Sequence, residues 1–303
     1  MADINRNTNY VPLPMDVSQE ILQKTQSGSA IMQLARQIPL PGTGVEIPVI
    51  LGDPTAEWVA ETGVKPVSNP SVSKKTMRAY KLAVIETFSE EFTRDVKSLY
   101  DALIQRLPGA LAMKFDATVL GAVDKPGEHF DNFASCTAQS LIATSSASTY
   151  DGLVAADTDI STHGGLLNGF ALGPQGRGIL LGAVDSTGRP LFVNSVAEGA
   201  IPLILGAPTH MNRGIYKAGT AGSSGTPAIV GIAGDWSQAV YGTVEGVKFK
   251  FTDTATVTVG SGSSEAQVNL WQQNMVAVMA EVELGFRALT DCFNLLTGAV
   301  PTA

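Results

Sequence analysis

The segment MVAVMAEVELGFRAL, residues 275–289, limits the possible folds more than any other part of this chain. Val276, Val278, Ala280, Val282, Leu284, Phe286 and Ala288 are apolar at steps of two. Ala277, Met279, Glu281, Glu283, Gly285 and Arg287 fill the places between them. Strand side chains alternate between faces, so this pattern predicts one long strand with an apolar face and a polar face.

The text before that strand supplies shorter elements. Residues 1–14 are polar, asparagine-rich and broken by prolines, and read as an extended arm. Asp16 can cap a short helix through Lys24, with Val17, Ile21 and Leu22 on one side. Ser29 can cap a second helix over SAIMQLARQI, ending before Pro39, and PLPGTGVEIPVI reads as a turn and a short strand. Ser89, Glu90 and Glu91 form a helix start, with an oxygen cap followed by acids in the first turn. Phe92, Val96, Leu99 and Leu103 recur at helical spacing, and Leu107, Leu111, Phe115 and Val119 extend the stripe. Pro108–Gly109 predict a kink or a break within it.

Residues 122–148 read as loop. From 149 to 265 short strands alternate with glycine turns and one clear helix, PQGRGILLGAVD, opened by Pro174. AIVGIAGDWSQAVYG and VEGVKFKFTDTATVTVG read as paired strands.

One stretch fits none of these elements. EWVAETGVKPVSNPSVSKK, from Glu57 to Lys75, holds Trp58, two prolines and three lysines, with few apolar partners nearby. A two-stranded arm spanning about 50 to 86 accommodates it, with a tip near Ser68–Ser73 and MRAYKLAVIETF as the return. An arm that cannot pack on itself is expected to pack on another chain.

Composition narrows the function. At 303 residues, 44% hydrophobic and 16% charged, the chain has an ordinary globular make-up and can bury a large core. Its formal net charge of −8 argues against gripping nucleic acid, because phosphate binders concentrate Lys and Arg. Cys136 and Cys292 form neither a CxxC pair nor a disulfide framework. No basic segment followed by an apolar one opens the chain, and no apolar run reaches membrane-spanning length.

The usual chemical motifs are missing. His129, His163 and His210 have no metal-ligand spacing, and GPQGRG lacks the lysine and hydroxyl of a phosphate-binding loop. GTAGSSGTP and GSGSSE lack the strand–elbow–helix setting of a hydrolase nucleophile. Asp151, Asp157 and Asp159 lack the glycine and distal glutamate of a calcium loop. No metal, cofactor or turnover enzyme activity is expected.

In this order of segments the sequence resembles the major capsid proteins of tailed bacteriophages, with the Hong Kong 97-like fold. PMDVSQEIL and SAIMQLARQIPLPGTGVEIPV resemble the family's N-terminal arm region. EWVAETGVKP and KLAVIETFSEEFTRD resemble its extended loop and the strand and helix start that follow. LYDALIQRLPGALAMKFDATVLGA resembles the long spine helix. FALGPQGRGILLGAVDSTGRPLFV, ILGAPTH and GIAGDWSQAVYG resemble the axial domain, and NMVAVMAEVELGFRALTDCFNLLTG the strand that returns to the peripheral domain. The likeness runs from about Val11 to Gly298.

The resemblance implies an α+β fold with four parts: an N-terminal arm (1–49), an extended β-hairpin loop (50–86), a peripheral domain with the spine helix (87–148 and 266–303) and an axial domain (149–265). It implies a virion protein, assembled in the host cytoplasm, whose hexamers and pentamers enclose double-stranded DNA without binding it specifically. Trp58, Glu61 and Lys65 would contact a neighbouring subunit. A portal and a protease or decoration protein are further implied partners. Some members begin with a cleaved helical scaffolding segment. Here arm-like text starts at Met1, so either a separate scaffolding protein is used or this is the mature form, and Met1 favours the former. An encapsulin-like nanocompartment shell is a second reading, and a soluble α/β enzyme or binding module a third.

In crosslinking members a loop lysine bonds to an asparagine of a neighbour, assisted by a glutamate from a further subunit. The matching positions are Lys65, Asn274 and Glu281. Only a neutral amine attacks, so such a site must be dry enough to lower the lysine pKa and raise that of the glutamate. The other reading of Lys65 is an ion pair with a carboxylate across the interface.

Overall fold

Two β-sheets organise the molecule, and the alternating segment forms the middle of the first. The computed structural model describes residues 25, 28–42, 44–51, 56–59, 64–65, 67, 71–91, 104–144, 148–185, 187–192, 203–222, 225–259 and 265–301. In chain order its first elements are α1 (Ala30–Leu34), β1 (Arg36–Pro39), β2 (Val45–Leu51), β3 (Ser71–Met77), β4 (Tyr80–Ser89), α2 (Leu107–Leu120) and β5 (Thr137–Ser140). Then come α3 (Thr149–Thr162), β6 (Gly169–Leu172), α4 (Pro174–Leu181), β7 (Leu203–Ile204), β8 (Ala207–Met211) and β9 (Ile229–Gly234). The last are β10 (Ala239–Thr243), β11 (Lys248–Thr252), β12 (Thr256–Val259), β13 (Ala266–Asn269), β14 (Met275–Ala288) and β15 (Phe293–Thr297).

β14 is the expected strand. β4 pairs antiparallel with it from Met275 to Leu284. On its other edge β11 and β10 lie in tandem, both antiparallel, and β1 pairs parallel with β10. Val278, Ala280, Val282, Leu284, Phe286 and Ala288 are all buried, as the period of two requires. The second sheet runs β5-β15-β9-β6-β8-β7, and α3 and α4 pack on it. Aromatic rings join the two sheets. Phe133 meets Phe286 edge-on at 5.7 Å and stacks on Phe293 at 4.5 Å, with Trp236 edge-on to both Phe133 and Phe293.

Several expectations need correcting. Ser29 does cap a helix, its hydroxyl accepting from the Met32 N–H, but that helix stops at Leu34. The following Arg36–Pro39 is drawn into the first sheet as β1, because tertiary pairing overrides helix propensity there. AIVGIAGDWSQAVYG is not one hairpin: β9 belongs to the second sheet and β10 to the first. Asp235 turns the corner between them, accepting from Ser237 and Asn168. In the next segment β11 and β12 likewise find other partners, β14 and β13.

A second helix, α3, lies where only one was expected. Ser148 and Asp151 form a reciprocal capping box at its start. Its apolar stripe is narrow, only Leu153, Ala156 and Ile160, and Gly152 in its first turn reads as a breaker. That glycine is required, since a Cβ there would lie 2.0 Å from the Ser140 carbonyl oxygen. Residues 122–148 are mostly loop but contain β5. The expected Asp16–Lys24 helix and the Phe92–Leu103 stripe lie outside the described residues. Leu107, Leu111, Phe115 and Val119 are buried along α2, which begins at Leu107 with Pro108 in its first turn, after a turn at residues 105–106 that makes a break rather than a bend.

α1 and α2 are locked together by a buried carboxyl. Asp116 accepts from the Ser29 hydroxyl at 2.5 Å and from the Ala30 N–H at 2.9 Å, and Asn212 closes the group by donating to the Gly28 carbonyl. Burial lifts the Asp116 carboxyl from 3.8 to about 7, against the pull of these donors. A carboxyl raised on folding stabilises most while protonated. Its contribution is therefore full below 3.8 and declines as pH rises through about 7. Asp116→Ala leaves the Ala30 N–H without its acceptor, at an expected cost of about 2 kcal/mol. Urea melts at pH 4 to 8 should show the lowered midpoint and the loss of this component of the pH slope.

Candidate assembly site

The expected arm is present as a hairpin. β2 and β3 pair antiparallel from Val45↔Met77 to Leu51↔Ser71, and Lys74 bonds to Glu46 across the pair at 2.8 Å. Its extent differs from the expectation of about 50 to 86. The return strand ends at Met77, and Tyr80–Ser89 is a separate strand of the first sheet. The chain turns at Arg78–Ala79 because β4 is claimed by β14.

The root of the hairpin is fixed in two ways. Gly242 and Gly285 are register partners on the face of the first sheet that also carries Glu281, Glu283 and Arg287. With no side chains there, they leave a dent that Met77 and Leu40 fill. A Cβ at Gly285 would sit 2.8 Å from the Arg78 carbonyl oxygen and 2.9 Å from Met77 Cγ. Both Met77 and Leu40 are buried.

Beside the dent lies a charged network. Arg287 donates to Asp131 at 2.6 Å and to the Thr76 carbonyl at 2.8 Å through Nε. Lys75 donates to the Ala288 carbonyl at 2.9 Å and approaches Asp131 at 3.5 Å. The Ala288 N–H donates to Asp131 as well, and His129 Nδ1 lies 3.3 Å from Arg287. Arg287 and Asp131 are largely buried, so the fork-shaped guanidinium links β14, β3 and the loop after α2 away from bulk water. Sequence reading missed this site. Its only local signal was a polar residue, Arg287, at the end of the alternating strand, and Asp131 comes from text that reads as loop.

The far end of the hairpin is the opposite environment. Trp58 is fully exposed, at 105%, and Val64 and Val67 are 95% and 84% exposed. Lys65 is exposed beside them, and Glu61 lies outside the described residues. Of the three lysines in the stretch, Lys74 and Lys75 are engaged within the chain, which leaves Lys65 as the basic group carried outward.

The other two expected site residues lie on or beside β14. Asn274 is exposed in a turn with φ of 49°, and its carbonyl accepts from the Glu90 N–H at 2.8 Å. Glu281 is seven places further along and pairs with Lys250 at 2.8 Å. The Lys250 hydrogen bond holds its carboxyl below the usual carboxylate range. Seven strand residues span roughly 20 Å, so Asn274 and Glu281 of one chain cannot serve the same bond.

A hairpin rooted on a two-sheet body now has a context. The phage capsid family model matches residues 10–291. The chain belongs to the phage capsid family. Among curated members it is 30% identical over 304 residues to the probable major capsid protein gp17 of Mycobacterium phage D29, covering 95% of this chain and 90% of that one. It is 25% identical over 279 residues to the major capsid protein of Staphylococcus phage 80alpha, covering 89% and 80%. A solved structure from Mycobacterium phage Ogopogo superposes with a TM-score of 0.71 at 19% identity, covering 89% of this chain and 92% of that one. One from Gordonia phage Cozz gives 0.68 at 24%, covering 90% and 87%. The capsid of a native GTA particle, computed with C5 symmetry, gives 0.60 at 15%, covering 90% and 91%. The α+β fold is therefore that of phage capsid structures of the Hong Kong 97-like type.

For this family member the hairpin root is a structural lock with measurable cost. Arg287→Met leaves the buried Asp131 carboxylate with the Ala288 N–H and the more distant Lys75, and is expected to destabilise by about 3 kcal/mol. Gly285→Ala should cost about 1–3 kcal/mol through overpacking against Met77. Urea midpoints of the two variants check both values.

Proposed function

We propose that this chain self-assembles, as hexamers and pentamers, into the icosahedral shell of a tailed-bacteriophage head that encloses double-stranded DNA. The observation that carries the reading is the hairpin itself. Its root is locked by glycines and a buried ion network, while its end presents Trp58, Val64 and Val67 to solvent. An exposed tryptophan on a fixed mount is arranged for another protein surface, where Trp dominates contact energy. The names of the relatives and the five-fold averaging of one structural neighbour's capsid support the same reading. A net charge of −8 suits a wall that should not hold its DNA tightly.

In this reading the β14 sheet and α2, as the spine helix, form the peripheral domain, and the sheet with α3 and α4 the axial domain. Residues 1–49 act as the N-terminal arm. A separate scaffolding protein, a portal and a protease or decoration protein complete the set of partners, and the shell forms in the host cytoplasm. The chain, produced with the scaffolding protein of its phage, should sediment as closed shells with five-fold and six-fold capsomers in electron micrographs. A species that stays monomeric under all such conditions would sink the proposal.

A covalent step is proposed on the exposure of Lys65 and Asn274. The neutral Lys65 amine attacks the Asn274 side-chain carbonyl of another copy, forming an N–C bond and releasing ammonia. Glu281 of a further copy would take up the proton, and to do so it must first part from Lys250, which now keeps it a weak base. Denaturing gels of mature particles should show multimers, with a Lys65–Asn274 peptide one ammonia lighter than its parts. A single monomer band excludes the bond.

A further inference from the structure

An apolar groove lies at the root of the hairpin, between α2 and β4. Tyr80, Leu82, Phe115, Phe130 and Leu284 line it, and its volume is about 150 Å³. A cavity of that size with apolar walls accepts a benzene ring. Three of the walls are rings already set edge to face: Tyr80 and Phe115 each meet Phe130 at 6.2 Å. The same arrangement favours a further aromatic guest. Lys114 and Asp124 stand exposed at the rim.

Resting on the shell function proposed above, we infer that this groove is the seat of Trp58 from a second copy of the chain. Chemistry matches, since Trp58 is a fully exposed aromatic side chain and the groove is an aromatic slot with room for one ring of its indole. The charges match as well. Trp58 is preceded by the exposed Glu57, which complements Lys114 at the rim.

The chain's own Trp58 does not fill its own groove. The slot is lined by Tyr80 and Leu82, just past the end of β3, whereas Trp58 lies beyond the far end of β2. The six steps from Val45 to Leu51 alone span roughly 20 Å. Trp58 is fully exposed and so occupies no groove of its own chain, and each copy can give its tryptophan to one neighbour and receive one from another. Such a head-to-tail contact propagates, and it closes into a ring when the rotation per copy divides a full turn.

The test places a photo-activatable phenylalanine analogue at position 58 of the full chain, irradiates assembled shells, and maps the linked peptides by mass spectrometry. Links between copies to peptides holding Phe115, Tyr80 or residues 123–130 are expected. Links only to other surfaces overturn the groove while leaving the shell function intact. A second variant, Thr118→Trp, fills the slot from α2 without touching the hairpin. It should raise the concentration needed for assembly by at least about tenfold, as loss of a central tryptophan contact does. Its circular dichroism and sedimentation as a folded monomer should match the parent. Unchanged assembly of this variant would overturn the inference. Failure of the parent itself to form shells would instead count against the proposed function.

Discussion

The backbone ladder of β14 is the constraint on which the rest of the structure depends. Residues 277–281 pair on both edges at once, with β4 on one side and β11 on the other. Further along, Leu284 pairs with Tyr80 and with Thr243 of β10. A strand held on both edges cannot slip by one residue without turning its whole apolar set outward. Its register therefore fixes where Gly285 and Arg287 stand, and these two residues hold the hairpin.

From that register the function reads as a chain of mechanical consequences. The glycine dent seats Met77, and Arg287 and Asp131 tie down the strand that leads into it. These ties hold β3 and its turn into β4 against the first sheet. The aromatic groove beside the root gives the same element a receiving face. One sequence thereby carries both halves of a contact that can repeat around a ring.

Much of this was legible in the sequence wherever a signal is local. The period of two in residues 276–288, the stripe Leu107–Val119 broken at Pro108 and the Ser29 cap each reflect contacts within a few residues. The β2–β3 hairpin was legible for a negative reason, since the stretch around Trp58 had few apolar partners nearby. Reading failed where a distant partner overrode local preference. Arg36–Ile38 became strand because β10 offered them an edge, and α3 was hidden by Gly152, whose purpose is a carbonyl contributed by β5. The three positions expected to crosslink were legible only by resemblance, and the chain alone brings none of them together.

The sequence by itself determined the long central strand, the apolar face of α2, the existence of an arm and, through the order of its segments, the capsid family. Tertiary structure alone decided that β9 and β10 part into different sheets, that Arg287 meets Asp131 and Thr76, and that three aromatic side chains from separate elements frame a groove. The physical reason is separation along the chain. Helix and strand periodicity are set by neighbours a few residues apart, whereas the root network joins residues 75, 131 and 287, brought together by the pairing of β4 with β14 and by the Asp131 N–H donating to the Phe286 carbonyl.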